Sequence, residues 1–339
     1  MARRATIEDL AKAAGVSVST IDRVLNGRAR VRPATAEKVL AAAEAIGFYA
    51  TGILRERLGV GRPVRRLGVI LLQSNRTFYR VLAETLREAA LQDPGIALEI
   101  AHLDDLSPEA LAARMLAMGE RVEALAVVAA EHPRVTEAVE RLAGRGVRTV
   151  ALISDLIAPS GVTYVGLDHR KVGRTAGWAF GHICQRPGRI GILVGSPRYR
   201  NQELNESGFR SYLREHAPDL TVLEPLTTFE DRVVARGLTE QLLAREPDLA
   251  GLFVSGGGIS GVLMALREAG RRDLVVVGYD RIEPTVNGLI EGTLTLVIAH
   301  PLPRLAAECL EALMDCARDP TRRPPDRLVP FDILTAENM

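Results

Sequence analysis

The sequence predicts a small all-α domain followed by an α/β body of two similar lobes. Three observations lead to this fold class: the net charge changes sign along the chain, the first 50 residues show helical spacing around a tight turn, and the remainder alternates apolar strand-length runs with helical segments. At 339 residues, with 47% hydrophobic and 25% charged residues, the chain is expected to be neither a disordered nor a membrane protein and to form two or three soluble domains.

The charge asymmetry separates the beginning of the chain from the rest. Residues 1–66 contain thirteen Lys and Arg against six Asp and Glu, so this part carries +7 and the remainder −6. A basic domain on an acidic body favours a polyanionic partner for the basic domain, because binding to phosphates releases counterions.

The basic part has the spacing of helix, turn and helix. Thr6, followed three residues later by Asp9, begins a first helix as an incomplete capping box. Gly15 allows a tight turn, and Ser17 caps a second helix. A third helix begins near Thr35. Three such helices suit a DNA-binding domain whose second helix enters the major groove.

The stretch TIEDLAKAAGVSVSTIDRVLNG, residues 6–27, resembles the DNA-binding headpiece of the LacI/GalR repressor family. The resemblance implies that Val18, Ser19 and Arg23 read bases, the arginine donating to guanine. It further implies these remaining DNA contacts in the domain: Thr6, Ser17, Thr20, Asn26 and Arg32. Asp22 departs from the usual serine, and its carboxylate either repels a phosphate or accepts a hydrogen bond from the amino group of cytosine.

The family joins its headpiece to its body through a hinge helix that folds in the minor groove when two chains meet. Here residues 48–63, FYATGILRERLGVGRP, occupy that place, and their glycines suit a linker that orders on a DNA template. In relatives a leucine wedges between base pairs. Alignment places Arg57 at the wedge position, so either Leu58 is the wedge in a shifted register or Arg57 enters a narrow minor groove.

From residue 66 onward the pattern is that of a parallel sheet covered on both faces. Apolar runs of strand length lie at residues 67–73, 96–103, 124–130 and 148–154, and a second series lies at 189–195, 220–226, 250–256 and 274–280. Polar residues follow several of these strands, and ligands of open α/β sheets bind outside the carboxyl ends of strands. The two series therefore predict two lobes with a ligand cleft between them.

The body resembles the periplasmic ribose-binding-like fold of LacI/GalR regulators, through YVGLDHRKVGRTAGW (164–178), NESGF (205–209) and VVGYD (276–280). The resemblance implies a headpiece at 1–50, a hinge at 51–66 and a body at 67–339, with an N-lobe of about 67–168 and 301–328 and a C-lobe of about 169–300 and 329–339. It also implies these effector-binding residues: Arg76, Phe78, Tyr79, Asp155, Asn205, Phe229, Asp280 and His300. Phe78 and Phe229 would sandwich the ligand.

Several departures from the family pattern leave the ligand open. Asn205 replaces an arginine, Leu156 replaces an arginine of the ribose binder, and His300 replaces a glutamine. Residues 255–258, Ser-Gly-Gly-Gly, stand where Asn-Asp is frequent. Carboxylates and aromatic rings nevertheless suit a sugar or polyol.

Other function classes find little support in the sequence. SGGGISG, residues 255–261, lacks the Walker lysine and the Rossmann spacing, and no metal-spaced cluster or nucleophile elbow occurs. We therefore expect no cofactor and no metal. Three cysteines do not form a disulfide framework, and the absence of a signal peptide and of an 18-residue apolar run predicts a cytoplasmic protein without a membrane partner.

The sequence as a whole predicts a transcriptional regulator and not an enzyme. We expect a repressor that binds double-stranded palindromic operator DNA as a homodimer or a tetramer, with a small sugar, polyol or sugar derivative in the cleft as effector. The alternatives are a cytoplasmic carbohydrate-processing enzyme with an accessory DNA-binding-like domain and, third, a free solute-binding protein.

Overall fold

A computed structural model describes residues 4–26, 33–58 and 63–339. The chain divides into two compact units, with the boundary between Val64 and Arg65, and each unit is described by itself. We call the first unit the headpiece and the second the body.

The headpiece is helical over its described residues. Its helices are α1 (Ile7–Ala14), α2 (Val18–Leu25), α3 (Pro33–Ala45) and α4 (Thr51–Leu58). Leu10, Ile21 and Val39, from the first three helices, are fully buried in one apolar core. The capping box expected at Thr6 is complete, since its hydroxyl accepts from the Asp9 N–H at 3.2 Å and its own N–H donates to the Asp9 carboxylate at 2.9 Å.

The fourth helix occupies much of the expected hinge. Leu54 is fully buried in the headpiece core, and the Thr51 hydroxyl donates to the Phe48 carbonyl at 2.5 Å. Residues 51–58 are thus helical in the single chain, where the sequence suggested a segment that orders on DNA. Burial of Leu54 is the physical reason, because packing an apolar face supplies most of the stability of a short helix.

The body contains two sheets flanked by helices. Its strands are β1 (Arg65–Leu72), β2 (Ile96–Leu103), β3 (Ala124–Val127), β4 (Arg148–Leu152), β5 (Thr163–Leu167), β6 (Gly188–Val194), β7 (Leu220–Val222), β8 (Leu226–Thr227), β9 (Leu249–Val254), β10 (Val275–Tyr279), β11 (Leu296–Ala299), β12 (Arg327–Val329) and β13 (Asp332–Leu334). Its helices are α5 (Thr77–Leu91), α6 (Pro108–Gly119), α7 (Pro133–Ala143), α8 (His169–Ile183), α9 (Arg200–His216), α10 (Arg232–Arg245), α11 (Ile259–Glu268), α12 (Glu283–Ile290) and α13 (Leu302–Arg318).

Each lobe is built on one sheet. The first sheet has the order β12-β5-β4-β3-β1-β2, and the second has the order β13-β11-β10-β9-β6-β7, with β8 paired to β6. Nine of these pairings are parallel, and that of β11 with β13 is antiparallel, with Ile298 opposite Ile333. The fold class predicted from the sequence, a helical headpiece and a two-lobed α/β body, is confirmed.

Helices α8 and α9 approach closely because glycines line their contact. A Cβ atom built on Gly173 would overlap the Asn205 carbonyl oxygen, and one on Gly208 would overlap the Arg170 carbonyl oxygen. Backbone atoms cannot move aside as a flexible side chain can, so these positions require glycine for steric reasons.

This packing predicts opposite effects for two Gly→Ala substitutions in helices. Gly173→Ala should lower the free energy of unfolding by about 1–3 kcal/mol, because the added methyl meets backbone. Gly237→Ala, in α10, meets nothing within 4 Å and should raise it by about 0.5–1 kcal/mol through the helix propensity of alanine. Urea unfolding followed by the fluorescence of Trp178, the single tryptophan, measures both. Equal effects of the two substitutions would contradict the steric explanation.

Candidate functional site

Helix α2 presents one exposed polar face. Ser17 caps this helix by accepting from the Thr20 N–H at 3.3 Å, and its hydroxyl lies 3.0 Å from that of Ser19. Val18 is 46% exposed although it is apolar, and Arg23 is exposed on the same helix. An exposed valine beside polar side chains is available for contact with a base edge such as the thymine methyl group.

The exposed side chains of α2 are held by contacts within the helix. Arg23 donates from Nε to the Ser19 carbonyl at 3.1 Å, and its terminal nitrogens have no partner among the described residues of the headpiece. Asn26 donates to the Asp22 carboxylate at 2.9 Å, so one oxygen of this carboxylate already accepts a hydrogen bond without DNA. Arg32, and the side chains of Arg57 and Leu58, lie outside the described residues.

The body contains a cleft between its two lobes, with a volume of about 700 Å³. Loops at the carboxyl ends of strands from both sheets surround it, as expected for ligand sites of open α/β sheets. Of the eight predicted effector-binding residues, five line it: Arg76, Phe78, Tyr79, Asp280 and His300. The aromatic rings of Phe78 and His300 have centroids 5.5 Å apart, so an apolar wall adjoins polar groups.

An ion pair joins the two sides of the cleft. Arg76, at the start of α5, donates from one terminal nitrogen to the Glu230 carboxylate at 2.8 Å and from the other to the Glu230 carbonyl. Its Nε donates to Gln73 at 2.5 Å. The second oxygen of Glu230 accepts from Gln202 at 2.8 Å. This contact therefore connects the first lobe to the second through a carboxylate whose two oxygens each accept a hydrogen bond.

Asp280 and His300 form a second polar pair in the cleft. His300 Nδ1 lies 2.6 Å from Asp280 Oδ1, and the His300 backbone N–H donates to the same oxygen at 3.2 Å. The imidazole is 1% exposed, and its Nε2 has no hydrogen-bond partner in the part of the chain that the structure describes. Asp280 has a φ of 62°, a left-handed conformation that Asp tolerates better than most residues.

Asn205 lies behind the cleft and does not line it. It is fully buried, with its amide nitrogen donating to Ser255 at 3.0 Å and its oxygen 3.2 Å from His169 Nδ1. His169 Nε2 lies 2.8 Å from the Ile153 carbonyl. Burial, and then the nearby imidazole of His300, lower the pKa of His169 to about 4, so this histidine is neutral near pH 7.

The remaining two predicted residues also lie outside the cleft lining. Asp155 has Arg200 Nε 3.7 Å from its carboxylate and accepts from the Leu156 N–H at 2.8 Å. Burial raises the pKa of Asp155, with Arg200 acting in the opposite direction. Phe229 is 72% exposed, and its neighbour Glu230 enters the cleft instead. The expected sandwich of Phe78 and Phe229 is thus not present in this structure.

Two family models match the chain in succession. The model of bacterial regulatory proteins of the lacI family matches residues 6–50, and that of the periplasmic binding protein domain matches residues 67–320. The chain belongs to the LacI family of regulators.

Relatives with similar domain content support this membership. The HTH-type transcriptional regulator CelR of Thermobifida fusca is 27% identical over 353 residues, which cover 95% of this chain and 94% of CelR. The ribose operon repressor of Bacillus subtilis (strain 168) is 26% identical over 285 residues, covering 82% of each chain. A solved solute-binding protein of Burkholderia graminis, in complex with D-arabinose, has a TM-score of 0.75 at 20% identity, covering 82% of this chain and 97% of that one.

The family assigns the chain to DNA-binding transcriptional regulators that respond to a ligand, and not to enzymes. Among the described residues, no group of three or more His, Cys, Asp and Glu side chains is arranged to hold a metal ion. Within the same residues, no helix combines the length and apolar character needed to cross a membrane.

Several cleft residues of this LacI-family regulator were not predicted from the sequence. They are Gln73, Asn201, Gln202, Glu230, Ser255 and Tyr279. Gln73 and Ser255 follow β1 and β9, and Tyr279 ends β10. Asn201 and Gln202 lie in the first turn of α9, so a position at the end of a strand or the start of a helix was an available signal. No such signal pointed to Glu230, because the family pattern assigns its neighbour Phe229 to the effector site.

The depressed pKa of His169 predicts a loss of stability in mild acid. An unfolded imidazole has a pKa near 6.5, whereas the native one titrates near 4, so the unfolded state binds the extra proton between these values. Stability should therefore fall as pH decreases through this window, by about 2 kcal/mol between pH 7.5 and 5 from this group. Urea unfolding at the two pH values, compared with His169→Gln, measures the difference. An identical pH dependence in the two proteins would show that His169 does not carry it.

Proposed function

We propose that this chain is a repressor that binds a palindromic operator as a homodimer, with a small carbohydrate or polyol in the cleft as its effector. It acts on DNA in the cytoplasm, and two homodimers associating into a tetramer are compatible with the same mechanism. A symmetric pair of headpieces can match two half-sites, which is how helix-turn-helix dimers recognise palindromes.

The observation that carries the DNA-binding part is the exposed face of α2. Val18, Ser19 and Arg23 share that face, and the helix is fixed by a satisfied cap at Ser17 and the buried side chain of Ile21. A rigid helix with exposed donors suits direct readout in the major groove. Thr6, Thr20, Asn26 and Arg32 are proposed phosphate or backbone contacts, with Arg57 or Leu58 entering the minor groove.

The effector-binding part rests on the chemistry of the cleft. The pair of Asp280 and His300 offers hydrogen-bond acceptors beside the rings of Phe78 and Tyr279. Hydroxyl groups and C–H faces of a sugar or polyol complement this combination. The names of the ribose operon repressor and of the arabinose-bound solute-binding protein support the same ligand class.

Arg23→Ala should weaken binding to the operator by about 1–3 kcal/mol and leave binding to random DNA nearly unchanged, because a base contact contributes only to the correct sequence. Arg23→Lys is the matched control, since it keeps the charge and loses the fork that binds guanine at two points. Titration of fluorescent operator DNA, selected from a random pool with the native protein, measures both. Equal losses on operator and random DNA for Ala, with full rescue by Lys, would assign Arg23 to a phosphate.

Asp280→Asn should reduce effector affinity about tenfold to a hundredfold, because a hydroxyl bonded to a carboxylate gains about 1.5–3 kcal/mol. Asparagine also tolerates the left-handed backbone at this position, so the fold should persist. Calorimetric titration measures affinity, and operator binding without effector should be retained. Asp248→Asn, at an exposed ion pair with Arg189, is the control. Unchanged affinity in Asp280→Asn would remove Asp280 from the site.

A further inference from the structure

The charged residues of the cleft do not favour an anion. Its lining contains Arg76 and Arg232 against Glu230, Asp231 and Asp280. Arg232 is exposed, where solvent screens its charge. Arg76 is the arginine whose guanidinium is partly buried, with a side chain 23% exposed. Whether a bound anion can pair with a partly buried positive charge therefore depends on whether the Arg76 guanidinium is already paired.

Arg76 is already occupied by groups of its own chain. Each of its three guanidinium nitrogens donates to an acceptor, namely the Gln73 side chain, the Glu230 carboxylate and the Glu230 carbonyl. The position that an acidic group of a ligand would take against this arginine is filled by the carboxylate of Glu230.

The local structure is built around this carboxylate. A Cβ atom on Gly195 or Gly257 would overlap Glu230, so the two glycines leave the space that its side chain fills. Gln202 donates to the Glu230 carboxylate and accepts from the Gly195 N–H at 2.6 Å, which fixes both groups. Glu230 has a φ of 61°, a costly backbone conformation for this residue type that the surrounding contacts maintain.

The unsatisfied polar atoms of the cleft are acceptors. In the neutral tautomer of His300 whose Nδ1–H donates to the Asp280 carboxylate, the buried Nε2, which has no partner among the described residues, is an acceptor. Asn201 also lines the cleft, and its Oδ1 is buried with no hydrogen-bond partner among the described residues. Buried polar atoms without partners are costly, so a ligand that donates to both atoms gains affinity.

We propose that the effector is an uncharged polyhydroxy compound whose hydroxyls donate to Asp280, His300 and Asn201, and that Glu230 excludes sugar acids and sugar phosphates by occupying Arg76. This inference rests on the proposed function, and it narrows the effector class within it. An anionic group entering the cleft would meet acceptors and carboxylates, and it would gain Arg76 only by displacing a carboxylate that accepts from both Arg76 and Gln202.

A panel of matched compounds tests the selectivity. Glucose, ribose and arabinose are each titrated calorimetrically into the full chain beside their aldonic acids and their terminal phosphates. We expect any compound that binds to be neutral, with an affinity at least about tenfold above that of its acid and of its phosphate, because the anions leave acceptors unpaired. Tighter binding of an acid or a phosphate than of its neutral parent overturns the inference and leaves the carbohydrate proposal standing. Failure of all compounds of the three classes overturns both.

Glu230→Gln separates the role of this carboxylate from the general charge of the cleft. It keeps the shape of the side chain, releases the charge of Arg76, and should raise the ratio of acid to neutral affinity at least about tenfold. Asp231→Asn is the matched control, because it removes the same charge from the adjacent residue and leaves the Arg76–Glu230 pair intact. Its carboxylate caps α10, a role that asparagine also performs.

The comparison of the two variants decides the role of Glu230. Thermal unfolding without ligand shows whether each variant is folded, and the affinity ratio is measured within each protein, so a general loss of affinity cancels. An equal change of the ratio in Glu230→Gln and Asp231→Asn, or no change in either, would show that Glu230 does not exclude anions.

Discussion

The arrangement of the body depends on where the chain passes from one lobe to the other. It crosses after β5, after β11 and after β12, and each crossing leaves a sheet at the carboxyl end of a strand. Both sheets are thereby tied together along their carboxyl edges, and the loops that follow their strands face one cleft. His169 and His300 stand at the first two crossings, so two residues that connect the lobes are also part of the polar structure around the cleft.

The fold was predictable because its longer strands are apolar over several residues. Strands β5, β12 and β13 were not identified. The last two have three residues each and begin with a charged residue, Arg327 or Asp332, so they show no apolar run. In the cleft, Arg76 and Asp280 were predictable as residues that follow strands. Phe229 and Glu230 were not, because positive φ values of 52° and 61° turn the glutamate inward and the phenylalanine outward. Propensity disfavours such angles for both residue types.

A buried polar network supports the cleft without lining it. His169 bridges the Ile153 carbonyl of the first lobe and Asn205 of the second, and Asn205 in turn donates to Ser255. Burial keeps the imidazole neutral, so it has one N–H for the two oxygens: when Nε2–H donates to the Ile153 carbonyl, Nδ1 can accept from the Tyr279 hydroxyl, 3.4 Å away. A change in the distance between the lobes would break the buried hydrogen bond between His169 and the Ile153 carbonyl. Partial separation of the lobes therefore costs free energy.

The ion pair of Arg76 and Glu230 contributes to selectivity more than to stability. Transfer of both charges from water carries a desolvation cost that their attraction offsets only with good geometry and additional hydrogen bonds. Here Gln73 and Gln202 complete the hydrogen bonding on the two sides. The positive charge of the arginine is thus neutralised before a ligand arrives, while His300 Nε2 remains an acceptor without a partner. Among the described residues of the cleft, the partly buried Arg76 is already paired with a carboxylate, whereas His300 Nε2 has no partner. This arrangement favours the affinity for a hydroxyl over the affinity for an anion.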